Sequence, residues 1–342
     1  MATLEETAVA WELGGPVGAL AFDRAGKTLA FALGDGSLAL ADPRTRDAPR
    51  RIAAHDGAIL CLAADGDEPA FLTGGDDGKL NRVAADGAVA AIHAWKGKWV
   101  EHVLAPAGAP FRAAAVGRCA YLFQRKGAEA PAELQHPSTV GGIAANPKAK
   151  RLAVAHYNGV SLWWTHGREQ KPKLLKWSGS HIGVTWSPDG EYVVSMMQEN
   201  ALHGWRLSDG QDMRMSGYPT KVRSVAWSPQ PYFLATAGAD RIVCWPFSGS
   251  GPMGKPPVEL GYGRDGMVAT VAAHPKGDMI AAGYTDGAVA LARISNNAAG
   301  FAKPPGGGRV AALAFGPDGK CVAYGTEDGL AGVIDLQALA QA

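Results

Sequence analysis

Few side chains in this 342-residue chain have the types and spacing for chemistry. His93 and His102 flank Trp95-Lys-Gly-Lys-Trp99 with Glu101 beside them, a set that could be read as a metal cluster. The plainer reading is histidines of loops and strand edges. Cys61, Cys119, Cys244 and Cys321 lie far apart and form no Cys-x-x-Cys pair, so spacing argues against structural zinc. Three of the four alternate with apolar residues, as buried, inert thiols of a reducing compartment do. There is no Gly-x-Ser-x-Gly, no P-loop, no dinucleotide fingerprint and no His-Glu-x-x-His. The chain is therefore expected not to be an enzyme, and to need no cofactor or metal.

Binding chemistry is better represented. Two indoles and two ammonium groups within Trp95–Trp99 suit a partner with apolar and acidic groups, Trp99 being the stronger candidate. A basic stretch follows: Lys148, Lys150, Arg151, Arg168, Lys171, Lys173 and Lys176 face only Glu169. Solvated charge is its plain reading; an acidic protein or a nucleic acid is the sharper one. Across the chain 33 basic side chains meet 32 acidic ones, a net charge of +1. That balance offers no general attraction to nucleic acid or anionic membranes. Met1–Glu6 lacks both a basic and an apolar signal region, and no run of 18 apolar residues occurs. A cytoplasmic protein, monomeric on its own and away from membranes, is expected.

The elements that must carry these residues are repeats. A short alternating strand ending in an aromatic residue or Ala recurs before a Pro or Gly turn, as in Val17–Phe22, Val222–Trp227 and Val310–Phe315. The strand ends fall at 22, 63, 105, 145, 186, 227, 273 and 315, spaced by 41, 42, 40, 41, 41, 46 and 42 residues. The long interval holds the Gly/Pro-rich insertion Ser248–Pro257. Two strand-like runs follow each anchor around a tight turn, most clearly at Asp35-Gly36, Asp77-Gly78, Asp286-Gly287 and Asp328-Gly329. Asp-Gly between alternating runs marks a hairpin, because the turn needs the positive φ that Gly adopts without strain. A fourth run leads to the next copy.

Four short antiparallel strands in about forty residues make one propeller blade. The expected fold is all-β, an eight-bladed propeller of four-stranded antiparallel blades, with seven blades as the alternative. The repeats are expected at 15–53, 54–96, 97–135, 136–177, 178–216, 217–260, 261–304 and 305–342, all in one domain. Residues 7–13 alternate like a strand, and pairing them in the last blade removes two open sheet edges. A helical turn is expected only at 337–341.

Ser187-Pro-Asp-Gly190, Gly316-Pro-Asp-Gly319, Asp35–Asp42, Asp77–Val83 and Val160–Trp164 resemble the strand-end and third-strand signatures of WD40-repeat proteins. The resemblance covers essentially the whole chain, and the Ala and Gly bias suggests a degenerate, bacterial-type member. It implies a blade tetrad of His, Ser or Thr, Asp and Trp. His55, Thr73 and Asp77 match it, with Val83 in place of Trp. His136, Asn158 and Trp163 match it, with Val154 in place of the hydroxyl.

The resemblance also implies one face made of the loops leading into inner strands and the second-to-third-strand turns. Carried over, its candidate partner-binding residues are Asp56, Asp76, Lys98, Trp99, Arg118, Tyr157, Gln198, Lys221, Arg309 and Glu327. The expected function is a non-catalytic scaffold that assembles protein partners on this face. The alternative is a propeller enzyme, or a small-ligand or metal binder, using the central channel.

Overall fold

The structure, a computed structural model, describes residues 8–125, 130–166, 171–229, 231–261, 263 and 265–341. Short alternating runs punctuated by glycine turns become antiparallel strands. The glycines of the four Asp-Gly turns, Gly36, Gly78, Gly287 and Gly329, take φ of 84°, 78°, 89° and 91°. The expected hairpins therefore form where the sequence places them.

Close contacts divide the chain into two compact units, residues 1–53 with 223–342, and residues 54–222. The first unit holds four four-stranded sheets. One comprises Val17–Phe22, Leu29–Leu33, Ser37–Ala41 and Arg50–Ala53. The next two run from Val225–Trp227 to Val258–Leu260 and from Val268–Ala273 to Ala299–Lys303. In the fourth, Ala8–Glu12 pairs antiparallel with Leu330–Asp335, Ala10 opposite Gly332, beside Cys321–Thr326 and Val310–Phe315. The N-terminal strand thus completes the C-terminal sheet, as expected. Leu29–Leu33 is buried along all five residues, the pattern of a strand covered on both faces. Trp11, Val17, Phe31 and Val333 join one apolar cluster that ties this last sheet to the first. Gly325 makes that packing possible, since any Cβ there would collide with Val17.

The second unit holds two four-stranded sheets and one of six strands. The former run from Ile59–Ala64 to Val89–Ala94 and from His102–Leu104 to Ala132–Gln135. The latter comprises Gly142–Ala145, Arg151–Trp164, Lys173–Trp186, Tyr192–Met197, Ala201–Arg206 and Asp212–Met215. Phe111, Leu122, Leu152 and Trp163 pack between its first strands and the preceding sheet.

Eight separate blades are therefore not what forms. The described strands make an all-β propeller of seven hydrogen-bonded sheets, the number weighed as the alternative. The cause is local. Lys173–Trp186 runs unbroken, with no proline, and its first part pairs with Gly159–Leu162 while its last part pairs with Val193–Met197. Register shifts at Tyr157/Gly159 and His181/Gly183 let one strand serve both pairings. The boundary expected at 177/178 is thus bridged, and the fourth and fifth sequence copies share a sheet.

A short α-helix, Leu336–Gln341, stands where the helical turn is expected. Among the described residues no helix is long and apolar enough to cross a membrane. The thiols are free, and burial raises Cys61 and Cys244 to about 12.

Candidate functional site

Three of the tetrad positions assemble in the 54–222 unit. His55 accepts or donates at both ring nitrogens, Nδ1 to Asp77 Oδ1 at 2.9 Å and Nε2 to Thr73 Oγ1 at 2.8 Å. Asp77 also accepts the backbone N–H of Asp56 at 3.1 Å and of Lys79 at 3.0 Å. Burial alone would raise its carboxyl. The hydrogen bonds from His55 and these two amides outweigh that and hold it below the usual carboxylate range. The group locks an inbound loop onto a hairpin turn, and Asp56 pairs outward with Lys79.

The same docking repeats along one rim of this unit. Asp76 N–H donates to Ala58, and Trp95 N–H to Gly78. Gly78 is required there, because a Cβ would strike the carbonyl oxygens of Trp95 and Lys98. Val100 N–H donates to Gly75 and Glu101 N–H to Ala115, three residues before Arg118. His136 N–H then donates to the Arg118 carbonyl at 2.9 Å, and Tyr157 N–H to Ser138 Oγ at 2.8 Å. Asn158 Oδ1 accepts from Gly179 N–H, Gln198 N–H donates to Ser180, and Asn200 Nδ2 donates to Pro219. Loops, turns and the strand segments around Tyr157 and Gly179 form a hydrogen-bonded row from Asp56 to Pro219.

Seven of the ten candidate residues lie within that row, and Lys221 follows it two residues after Pro219. Trp99 and Tyr157 are 61% and 56% exposed, the largest values among the exposed large apolar side chains of the described residues. Asp56, Lys98, Arg118 and Gln198 are exposed as well, and Asp76 and Lys221 are half-buried. Arg309 and Glu327 belong to the other unit, where they pair at 2.7 Å. Trp95 turns inward, its ring 4.5 Å from His93 and 4.8 Å from Tyr121. His93 therefore fills an aromatic cluster. Among the described residues no group of three or more His, Cys, Asp or Glu could hold a metal ion.

Comparison with known proteins places this architecture. The model "WD domain, G-beta repeat" matches residues 48–81 and 211–245, and the model "Anaphase-promoting complex subunit 4 WD40 domain" matches 271–339. These matches support a WD40 β-propeller family for the chain. Among similar proteins, small ribosomal subunit protein RACK1y of Oryza sativa subsp. japonica is 24% identical over 53% of this chain and 54% of its own. Meiotic recombination protein rec14 of Schizosaccharomyces pombe is 29% identical over 32% of this chain and 37% of its own. These matches span about a third to a half of each relative's length. The computationally designed Ika8 protein superposes with a TM-score of 0.76 at 15% identity, over 94% of this chain and 96% of that one, a likeness of fold alone.

Measured against the WD40 pattern, the second tetrad comes together only in part. Trp163 Nε1 donates to His136 Nε2 at 3.0 Å. Asn158 sits at φ 67° and turns to Gly179 instead of His136. His156 bridges Ser161 Oγ and the Tyr157 carbonyl at 2.8 and 2.9 Å. A further pair, His181 Nδ1 to Ser195 Oγ at 2.8 Å, escaped sequence reading. Its only signal is position: His181 lies five residues before its anchor, whereas His55 lies eight before Ala63.

A second unforeseen group centres on Asp65, whose side chain is fully buried. Arg82, Arg112 and Arg125 donate to it at 2.7–2.9 Å. Burial would raise its carboxyl, but the hydrogen bond from Arg112 and the charges of Arg112 and Arg125 hold it low. It ties the first turn of one sheet to strands of the next. Its members lie 17 to 60 residues from Asp65, so no local pattern announces it.

Proposed function

We propose that this WD40-repeat chain is a non-catalytic platform that binds protein partners on the rim running from Asp56 to Lys221. The observation that carries this reading is the exposure of Trp99 and Tyr157 on one hydrogen-bonded row. A ring held in water on a rigid backbone buries large area on contact at small entropic cost. Arg118, Lys98 and Lys221 would supply polar contacts around those anchors. One similar protein is named as a small ribosomal subunit protein, and one matching family model is named for a component of the anaphase-promoting complex. Both names belong to larger assemblies, which agrees with a scaffold role.

Affinity capture with the full chain, followed by titration of the identified partner in purified form, tests the proposal. Trp99→Ala and Tyr157→Ala are each expected to weaken binding about tenfold or more, and Lys221→Glu to weaken it less. Wild-type affinity in all three variants would remove the rim from consideration.

A further inference from the structure

One stretch of edge in the six-stranded sheet differs in charge from most outer strands. Lys173–Lys176 pairs on one side only, with Gly159–Leu162. Between Leu134 and His166, and between Lys171 and Pro188, the sequence has no acidic residue, yet it places Lys148, Lys150, Arg151, Lys171, Lys173 and Lys176 there. Among the described residues none of these six makes an ion pair. Arg168 and Glu169 lie outside the described residues. The outer strands Ala8–Glu12, Ala132–Gln135, Asp212–Met215 and Val258–Leu260 each carry an acid of their own. Arg50–Ala53 and Ala299–Lys303 are cationic too, but Arg51 is paired with Asp35, and Lys303 is buried with its ammonium donating to the carbonyls of Gly287 and Gly306.

Lysines on an open edge repel other strands in general, but here they stand beside exposed apolar surface. Leu174 is 42% exposed in the middle of the edge, and Trp164 is 44% exposed at the end of the neighbouring strand segment. The Arg151 guanidinium lies over the Trp164 ring at 4.1 Å. That placement covers a ring face that a nucleic-acid base would need for stacking. What the edge still offers is a row of main-chain donors and acceptors flanked by uncompensated cations and one exposed leucine.

We infer that this edge receives an extended acidic segment of a protein partner as an added β-strand. Main-chain hydrogen bonds would hold the segment, as in strand addition generally. Its carboxylates would meet Lys173, Lys176 and Arg151, and an apolar residue would cover Leu174. The surface is separate from the Trp99 rim, so it stands or falls independently of the platform reading.

The probe is a fluorescein-labelled twelve-residue peptide of repeated Glu-Thr-Glu-Val, titrated with the full chain by fluorescence anisotropy. Binding should weaken on the order of tenfold in the Lys173→Glu/Lys176→Glu double variant, as reversal of interfacial charges does. A Lys173→Gln/Lys176→Gln variant should fall between, and Trp99→Ala should bind as wild type. The same peptide N-methylated at alternate amides should lose binding, because a strand needs its N–H groups. Three results would overturn the inference. These are wild-type affinity in the double variant, equal binding of the N-methylated peptide, or binding of a single-stranded oligonucleotide by a chain that ignores the peptide.

Discussion

The indole N–H of Trp163 donates to Nε2 of His136 across 3.0 Å, which places the imidazole proton on Nδ1. That Nδ1 is buried and has no protein partner. A second proton would have to displace the indole and bring charge into an apolar site. Burial, reinforced by His156, accordingly pushes His136 down to about 4. Burial does the same to His203, against the pull of Asp212.

Acid should therefore weaken the fold through these two side chains. In the unfolded chain a histidine titrates near 6.5, so between pH 6.5 and 4 the unfolded state takes up protons that the folded state refuses. The contribution is fully present above pH 6.5 and declines below it by about 1.4 kcal/mol per pH unit for each histidine. Urea midpoints at pH 7 and pH 4.5 measure this. Equal midpoints would mean that the two imidazoles are not held neutral.

The two indoles of Trp95–Trp99 should separate cleanly. Trp95 packs against His93, Tyr121 and Phe123, so Trp95→Ala should cost about 3 kcal/mol. Trp99 lies in water, and Trp99→Ala should shift stability by less than about 0.5 kcal/mol. Denaturant titration of both variants decides it, and comparable losses would contradict the assignment.

Asp65→Ala should be among the costliest single changes in the 54–222 unit. It strands the Arg112 and Arg125 guanidinium groups in a mostly buried site, a loss of about 3–5 kcal/mol. Glu68→Ala removes only an exposed partner of Arg82 and should cost less than about 1 kcal/mol. Similar urea midpoints for the two variants would show that Asp65 is not the keystone of its cluster.

Removing residues 1–13 should lower the melting temperature far more than loss of a loose tail would. Strand Leu330–Asp335 would lose its neighbour Ala8–Glu12, and Trp11 would leave the cluster it shares with Phe31. Scanning calorimetry on the truncated chain checks this, with an unchanged transition as the contrary result.

Much of this fold is legible in the chain because its rules are local. Asp-Gly turns demand positive φ, alternation demands strands, and the closing strand announces itself by its pattern near the N-terminus. The number of sheets is not local. Whether Trp177 and His181 sit in separate strands or one depends on a register shift at His181/Gly183 and on the absence of any proline to stop the run. The candidate rim was legible to the extent that loops follow the repeat. Trp99, Arg118 and Tyr157 are exposed on the hydrogen-bonded row, while Trp95 needed the neighbouring sheet to show that it points inward. The Asp65 group was invisible because its ion pairs join distant segments.

The pairing of Ala8–Glu12 with Leu330–Asp335 also sets an order of events during synthesis. Ala8–Glu12 leaves the ribosome before every other described strand, and its sheet partner is the last of them to be made. Until then Ala8–Glu12 must wait without its strand partner, open to whatever else in the cell pairs with a free strand. Completion of this sheet is thus a late event in synthesis, one that a chain terminated before Leu330 cannot reach.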